Sequence, residues 1–337
     1  MDPGSNPKSL RVTALAGGIG AAKFLVGLLD IVTPESLTII VNTGDDIELH
    51  GLRVSPDLDT VTYTLAGVVN PATGWGIAGD QFNCLEWLGR YGSPAWFNLG
   101  DQDLATHIYR TNQLRLGRTL GEVTDHIARS LGVKARILPM SDSYVPTAIA
   151  TDAGEIHIQE YFVRLRCEPA VRAIRYVGIE SATPAPGVLE TLRNSDAVII
   201  CPSNPFISIA PILAVPGIRE EIETTAAVVA AVTPIVGGKA LKGPAAEMLR
   251  DLGHEVSAAA VAKFYGRLLD VFVLDEQDAA LGPSIAETGV KVAIADTVMA
   301  TMEDKKRLAR HVLDFIGGLS GTRHWPYKSQ DKSQDKR

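Results

Sequence analysis

Apolar residues fall along this chain in short runs separated by glycines, turn formers and acids. Arg11 to Ala16 is one such run, Gly17-Gly18-Ile19-Gly20 interrupts it, and Ala21 to Leu29 has the composition of a helix. Clustered glycines punctuate elements because they reach backbone conformations closed to other residues, so this stretch predicts strand, tight loop, helix. A second run, Leu37 to Val41, ends in Asn42-Thr43-Gly44-Asp45-Asp46, which places turn formers and acids at the carboxyl end of a strand. Two strands joined through a helix are expected to lie parallel in one sheet.

Between about residues 60 and 131 the β-branched runs stop. Asp101 to Gln113 and Leu120 to Leu131 read as helices there, so the span is predicted to be a helix-rich insertion. Ala148 to Thr151 and Glu155 to Val163 alternate on either side of Asp152-Ala153-Gly154, which predicts a β-hairpin. After the linker Thr183 to Gly187, buried-type strands are predicted at Ala197 to Cys201, Pro234 to Val236, Val271 to Leu274 and Val292 to Ala295, with helical spans between them. The longest apolar run, Ala226 to Val236, reads as a buried helix-to-strand passage and is far short of the ~20 residues that cross a bilayer. The class is therefore α/β: a Rossmann-like, mostly parallel doubly wound sheet in one domain over residues 10–320. Such sheets bind ligands beyond the carboxyl ends of their strands, where the loops gather. Residues 1–9 are expected to be flexible. The polar tail 321–337, with its tandem Lys-Ser-Gln-Asp, is expected to be disordered, because it cannot bury enough apolar surface to offset its ordering entropy.

Composition narrows the partners. A 46% hydrophobic content over 337 residues suffices for a sizeable core, and a net charge of −7 offers no basic face for a nucleic-acid backbone. Met1 to Leu10 is polar, with no apolar stretch behind a charged start, so a cytoplasmic protein without a membrane partner is expected. Cys84, Cys167 and Cys201 form no Cys-x-x-Cys pair and the histidines form no metal-binding pair, which leaves oxygen ligands for any metal.

Two stretches carry candidate chemistry. Gly17, Gly18 and Gly20, followed by Lys23, suit a phosphate cradle, because glycines let backbone N–H groups approach an anion and a helix N-terminus favours it. The loop is not a Walker A motif, since Ala22 and Phe24 flank Lys23, and Lys23 stands at the third Rossmann glycine position. A tight turn with no ligand would use the same glycines. The second stretch gathers Asp45, Asp46, Glu48, Asp57 and Asp59, opposed only by Arg53. Close carboxylates repel unless a cation neutralises them, and Mg²⁺ takes one or two carboxylates beside substrate phosphates. At least one of Asp45, Asp57 and Asp59 is expected to hold a metal facing the phosphate loop; the plain alternative has Asp57 capping a helix that starts near Asp59. Asp101 or Asp103 reads as an N-cap and His107 as a helix-face or core histidine. Ser203 and Asn204 either touch a ligand or make a turn.

As an ordered set these stretches resemble the 2-phospho-L-lactate transferase family of coenzyme F420 biosynthesis, including its phosphoenolpyruvate-using members. The matching residues run from Gly17–Gly20 and Lys23 through Val41-Asn42-Thr43, Ser55–Thr60, Trp75-Gly76-Ile77, Leu99–His107 and Leu138–Asp142. They continue with Ser203-Asn204-Pro205, Gly243-Pro244, Asp270–Glu276 and Ala295-Asp296-Thr297. The resemblance implies a guanosine diphosphate ester of lactate or enolpyruvate as donor, the ribitol hydroxyl of the deazaflavin Fo as acceptor, and GMP as leaving group, giving (dehydro)coenzyme F420-0. It also implies a homodimer, and Mg²⁺ on Asp45 and Asp59, the two catalytic carboxylates. By the same matching Gly17, Gly18, Gly20, Lys23, Ser203, Asn204 and Pro205 bind the nucleotide, and Asp59 with Asn98 binds Fo. Ile19 stands where a threonine is common, Gln102 and Gln277 where arginines are common, and Asn98 where some members have lysine.

Two other functions fit parts of the pattern. A regulatory protein that binds nucleotide sugars without turning them over would use a similar glycine loop, but it has no need of so many acids nearby. A nicotinamide oxidoreductase would need a glycine where Lys23 stands.

Overall fold

The computed structural model describes residues 10–319, so the expectations for residues 1–9 and for the tail 321–337 lie outside the described residues. Seven strands form one sheet: β1 (Val12–Ala16), β2 (Leu37–Val41), β3 (Arg136–Pro139), β4 (Ala197–Ile200), β5 (Val228–Val232), β6 (Val271–Asp275) and β7 (Lys291–Ala295). All neighbours in it are parallel, in the order β7-β6-β5-β4-β1-β2-β3. The chain builds outward from β1 to one edge, then returns to the other side of β1 with β4. That reversal is a topological switch point, and it opens a crevice beyond the carboxyl ends of β1 and β4.

The sheet is buried on both faces. Along β1, Leu15 packs into one core with Ile40 and Ile200, while Val12, Ala14 and Ala16 pack into the other with Ile39 and Ile199. Alternate strand residues point to opposite faces, which is why these strands read as continuous apolar runs. Each fully buried Val, Leu or Ile stabilises the fold by roughly 1.5–3 kcal/mol. The second core is closed by α1 (Gly18–Leu29) lying on the C-terminal helix Met302–Leu319. A Cβ at Gly27 would strike the backbone carbonyl of Lys305, so that contact depends on glycine.

Between β2 and β3 come a short antiparallel hairpin, Ile47–Leu49 with Leu52–Val54, and four helices: α2 (Pro56–Leu65), α3 (Asn83–Arg90), α4 (Asp101–Arg115) and α5 (Leu120–Ser130). The anticipated β-hairpin gains a third strand, since Thr147–Thr151 pairs with both Gly154–His157 and Ala173–Tyr176. Its second strand is shorter than the alternation suggests, because Glu160–Arg164 turns into a π-helical segment.

Three readings are corrected. The strand expected at Pro234–Val236 is β5, six residues earlier at its start, and Ala226–Val236 holds no helix. Pro234 has no N–H to donate, so the ladder stops before it, and Ile235–Val236 folds back antiparallel on Lys239–Ala240. Strand β3 escapes the pattern because Arg136-Ile137-Leu138-Pro139 is short and carries an exposed Arg and a Pro; as an edge strand it tolerates both. The cap of α4 is supplied from outside the helix. Asp80 accepts the N–H groups of Gln102 and Asp103, while Asp101 accepts those of Asn83 and Cys84 at the start of α3.

Candidate active site

The glycine loop lies at the switch point. Gly17 is extended and precedes α1, and Gly18 has a φ of 71°, a left-handed conformation that favours glycine. The loop is packed from three sides. A Cβ at Gly17 would lie 2.6 Å from Ser208 Cβ and 2.7 Å from an Asp57 oxygen, and one at Gly20 would strike the carbonyl of Pro202. Gly20→Ala is therefore expected to lower stability by about 1–3 kcal/mol through overpacking, read as a lower urea midpoint at unchanged slope. It follows that a bulky Gly20 variant cannot serve as a clean test of ligand binding.

Asp57 is the first acid of α2, which begins at Pro56 with Ser55 as N-cap, so Asp57 does not cap its own helix. Its carboxylate instead receives the N–H of Gly18, at the N-terminus of α1. Asn42 ties this group to Asp45: its Nδ2 donates to Asp57 Oδ2 at 2.8 Å, to Asp45 Oδ1 at 3.0 Å and to the carbonyl of Ile207 at 3.0 Å. Gln159, two residues past the strand Gly154–His157, donates to Asp45 Oδ2 at 3.2 Å, and His157 meets the Asp46 carbonyl at 3.0 Å. Asp45 and Asp57 are buried, and among the described residues no cation forms an ion pair with either. Burial and the nearby Asp57 hold Asp45 well above the usual carboxylate range; burial pushes Asp57 up to about 6 and Asp46 to about 7.

A carboxyl group with a raised folded pKa favours the folded state while protonated, and this contribution is lost as the pH rises from the unfolded value toward the folded one. For Asp57 that window lies between about pH 4 and about 6. His157, whose pKa is lowered by burial, works in the opposite sense below about pH 6.5. The contribution of Asp57 is isolated by difference: in metal-free buffer, the advantage of Asp57→Asn over the parent is expected to grow as the pH rises through this window. Urea midpoints across the range check it, and parallel profiles would refute it.

Asp59 has a different environment. Arg110 on α4 donates to its Oδ2 from Nη1 at 3.1 Å and to its Oδ1 from Nη2. The two side chains are only 8% and 2% exposed. Arg110 Nη1 also lies 3.2 Å from His107 Nδ1, and since guanidinium only donates, that contact needs a lone pair on Nδ1. His107 Nε2 faces Asp103 Oδ1 at 3.3 Å, and Asp103 Oδ1 accepts the Tyr63 hydroxyl at 2.7 Å. Burial alone would raise Asp103, but hydrogen bonds from His107 and Tyr63 and the charge of Arg110 outweigh it and hold the group low. Asp59, Asp103 and His107 lie close enough for each to offer an atom to one ion, yet Arg110 already supplies that charge.

Sequence and structure meet in the wider comparisons. The family model for 2-phospho-L-lactate transferase CofD matches residues 12–312. The chain belongs to the 2-phospho-L-lactate transferase CofD family. It is 44% identical to a phosphoenolpyruvate transferase of Streptomyces griseus, over 91% of this chain and 98% of that one. It is 41% identical to a 2-phospho-L-lactate transferase of Methanopyrus kandleri, over 93% and 100%. A crystal structure of a UPF0052 family member from Bacillus halodurans superposes with a TM-score of 0.57 at 15% identity, covering 90% of this chain and 98% of that one; it shares the fold. This CofD-family chain is accordingly a transferase of coenzyme F420 biosynthesis on a Rossmann-like α/β sheet.

For a CofD-family protein, the anticipated site residues divide by environment. Gly17, Gly18 and Gly20 gather with Asp45 and Asp57 at the switch point. Ser203 Oγ donates to the Gly17 carbonyl at 2.9 Å, and Asn204 Oδ1 accepts the N–H groups of Phe206 and Ile207. Ser203 thus braces the glycine loop and Asn204 caps the turn that follows it, with Pro205 buried beside them. Lys23 Nζ donates to the Met299 carbonyl at 3.4 Å. Asn98 is exposed and makes no hydrogen bond to Asp59 among the described residues. Asp45 and Asp59 share no bridging group: Asp45 goes with Asp57, Asp59 with Arg110. Arg53 is therefore not the only cation among the acids. Arg110 was legible only as one of three polar residues, with Asp103 and His107, at helical spacing on α4; burial of that face is what singles them out.

No helix among the described residues is long and apolar enough to cross a membrane.

Proposed function

We propose that this CofD-family chain moves a phosphoenolpyruvyl or 2-phospholactyl group from a guanosine diphosphate ester to the ribitol hydroxyl of Fo. The observation that carries the reading is the buried pair Asp45–Asp57 beside the glycine loop, two carboxylates held on one amide and, among the described residues, paired with no cationic side chain. In the reaction the Fo hydroxyl oxygen forms a bond to the phosphorus that bears the three-carbon acid. The bond from that phosphorus to the bridging oxygen breaks, GMP departs with the electron pair, and the hydroxyl proton passes to solvent.

The residues fit Mg²⁺, since the acids at the crevice offer hard oxygen ligands and two lack a counter-charge. Asp45 and Asp57 would hold it, and Asp59 would join only by giving up Arg110. When bound, Mg²⁺ neutralises charge on the phosphoryl oxygens. Asn42 and Gln159 keep the Asp45 carboxylate oriented, and the switch-point loops set the donor's place. The assembly proposed is a homodimer.

The test offers Fo with each guanosine diphosphate ester and Mg²⁺, and identifies the product by mass. The expected result is one dominant F420-0-type product with stoichiometric GMP, and none in excess chelator. Donor bound tightly without turnover would support the nucleotide-sugar-binding alternative instead.

A further inference from the structure

The N-terminus of α1, where a phosphate was expected to sit, is already occupied. Gly18 N–H points at the Asp57 carboxylate, and Asp57 packs against Gly17. A nucleotide diphosphate near this loop therefore meets a negative group and needs cations from elsewhere.

One face of α1 leads to them. Ile19, Lys23 and Gly27 are spaced by four residues, so they stack along one side of the helix. At the first position, Ile19 packs on Gly74, next to Thr73, whose carbonyl accepts Lys242 Nζ at 3.5 Å. At the last, Gly27 touches the backbone of Lys305 on the C-terminal helix. Lys23 lies between these two contacts, and its pKa is lowered by burial and by the charges of Lys242 and Lys305. The acids of this region are engaged by other cations: Asp30 and Glu303 by Lys306, and Asp296 and Asp304 by Arg307. Among the described residues none of the three lysines forms an ion pair with a carboxylate.

We propose that Lys23, Lys242 and Lys305 form an anion subsite that holds the diphosphate of the nucleotide donor. Three like charges on one stripe repel, so placing them together is unfavourable until an anion lies among them. Lys23 stands one helical turn along α1 from Ile19 of the glycine loop. Because Lys242 belongs to a loop beyond β5 and Lys305 to the C-terminal helix, the subsite joins three separate parts of the fold around the donor. This inference rests on the nucleotide-ester reading above.

The test is calorimetric titration of the full chain with inorganic pyrophosphate, and separately with GDP and guanosine. Lys242→Gln and Lys305→Gln are each expected to weaken pyrophosphate binding about fivefold, and the double variant by at least about tenfold, with guanosine affinity unchanged. Affinity should also fall with added salt in the parent and less so in the double variant. Lys306→Gln, which alters a neighbouring lysine already paired with acids, should leave pyrophosphate affinity as it is. Melting curves for each variant separate lost binding from lost folding. Unchanged pyrophosphate affinity in the folded double variant, or equal losses in Lys306→Gln, would overturn the subsite. Pyrophosphate binding that depends on Lys242 and Lys305 in a chain that transfers nothing to Fo would retain the subsite and sink the transfer reaction.

Discussion

Asp59→Asn is expected to lower the stability of the folded chain by about 3–5 kcal/mol, the range for removing one partner of a buried ion pair. The side chains of Arg110 and Asp59 are almost wholly shielded, and both carboxylate oxygens face the guanidinium. An Asn in that place keeps the shape but leaves a buried cation with one weak acceptor, and it loosens His107, whose Nδ1 contacts the same guanidinium. The double variant Asp59→Leu/Arg110→Met should recover much of the loss, because an apolar pair of similar size removes the uncompensated charge. Chemical denaturation of the single and double variants checks this. A midpoint for Asp59→Asn within error of the parent would show that Arg110 is satisfied by other groups. The activity of Asp59→Asn is thus informative only under conditions where the variant is shown to be folded.

Asp45→Asn is expected to behave in the opposite way. Asp45 has no ion-pair partner among the described residues, and burial next to Asp57 already disfavours its charge. An Asn side-chain oxygen still accepts from Asn42 or Gln159, while the repulsion with Asp57 disappears, so the metal-free fold should be as stable as the parent or more so. Transfer to Fo should fall by at least ~10²-fold, the size of effect that follows loss of one important electrostatic group at a reacting centre. A metal-binding readout separates the cause: Mn²⁺ titrated as a spectroscopic probe should bind the variant more weakly than the parent. Near-parental turnover together with unchanged Mn²⁺ affinity would take Asp45 out of the chemistry. The contrast expected between the two aspartates, a loss of folding stability for Asp59→Asn and a loss of transfer for Asp45→Asn, follows from which of them has a cation beside it.

Strands β1, β2, β4, β6 and β7 were legible because each is an apolar run too short for a helix and bounded by glycine, proline, asparagine or acids. The glycine loop and the acids at the ends of β1 and β2 were legible for the same reason, since strand ends in a doubly wound sheet mark the crevice. Strand β5 and the external caps of α3 and α4 were not. Apolar runs such as Ala226–Val236 carry no period that separates helix from strand, and Asp80 reaches α4 across a fold in the chain that local spacing does not encode.

What the amino-acid sequence determined by itself is the α/β class, the family, and the list of carboxylates from which a metal site can be drawn. How those carboxylates are sorted was decided only in three dimensions. Asp57 and Asp59 stand two residues apart on α2, about 200° apart around the helix axis, so they face different neighbours. Asp57 turns to the glycine loop and shares Asn42 with Asp45, while Asp59 turns to α4 and meets Arg110. Arg110 lies fifty-one residues farther along the chain. Electrostatic energy depends on distance in space and on burial, neither of which a linear string of charges contains.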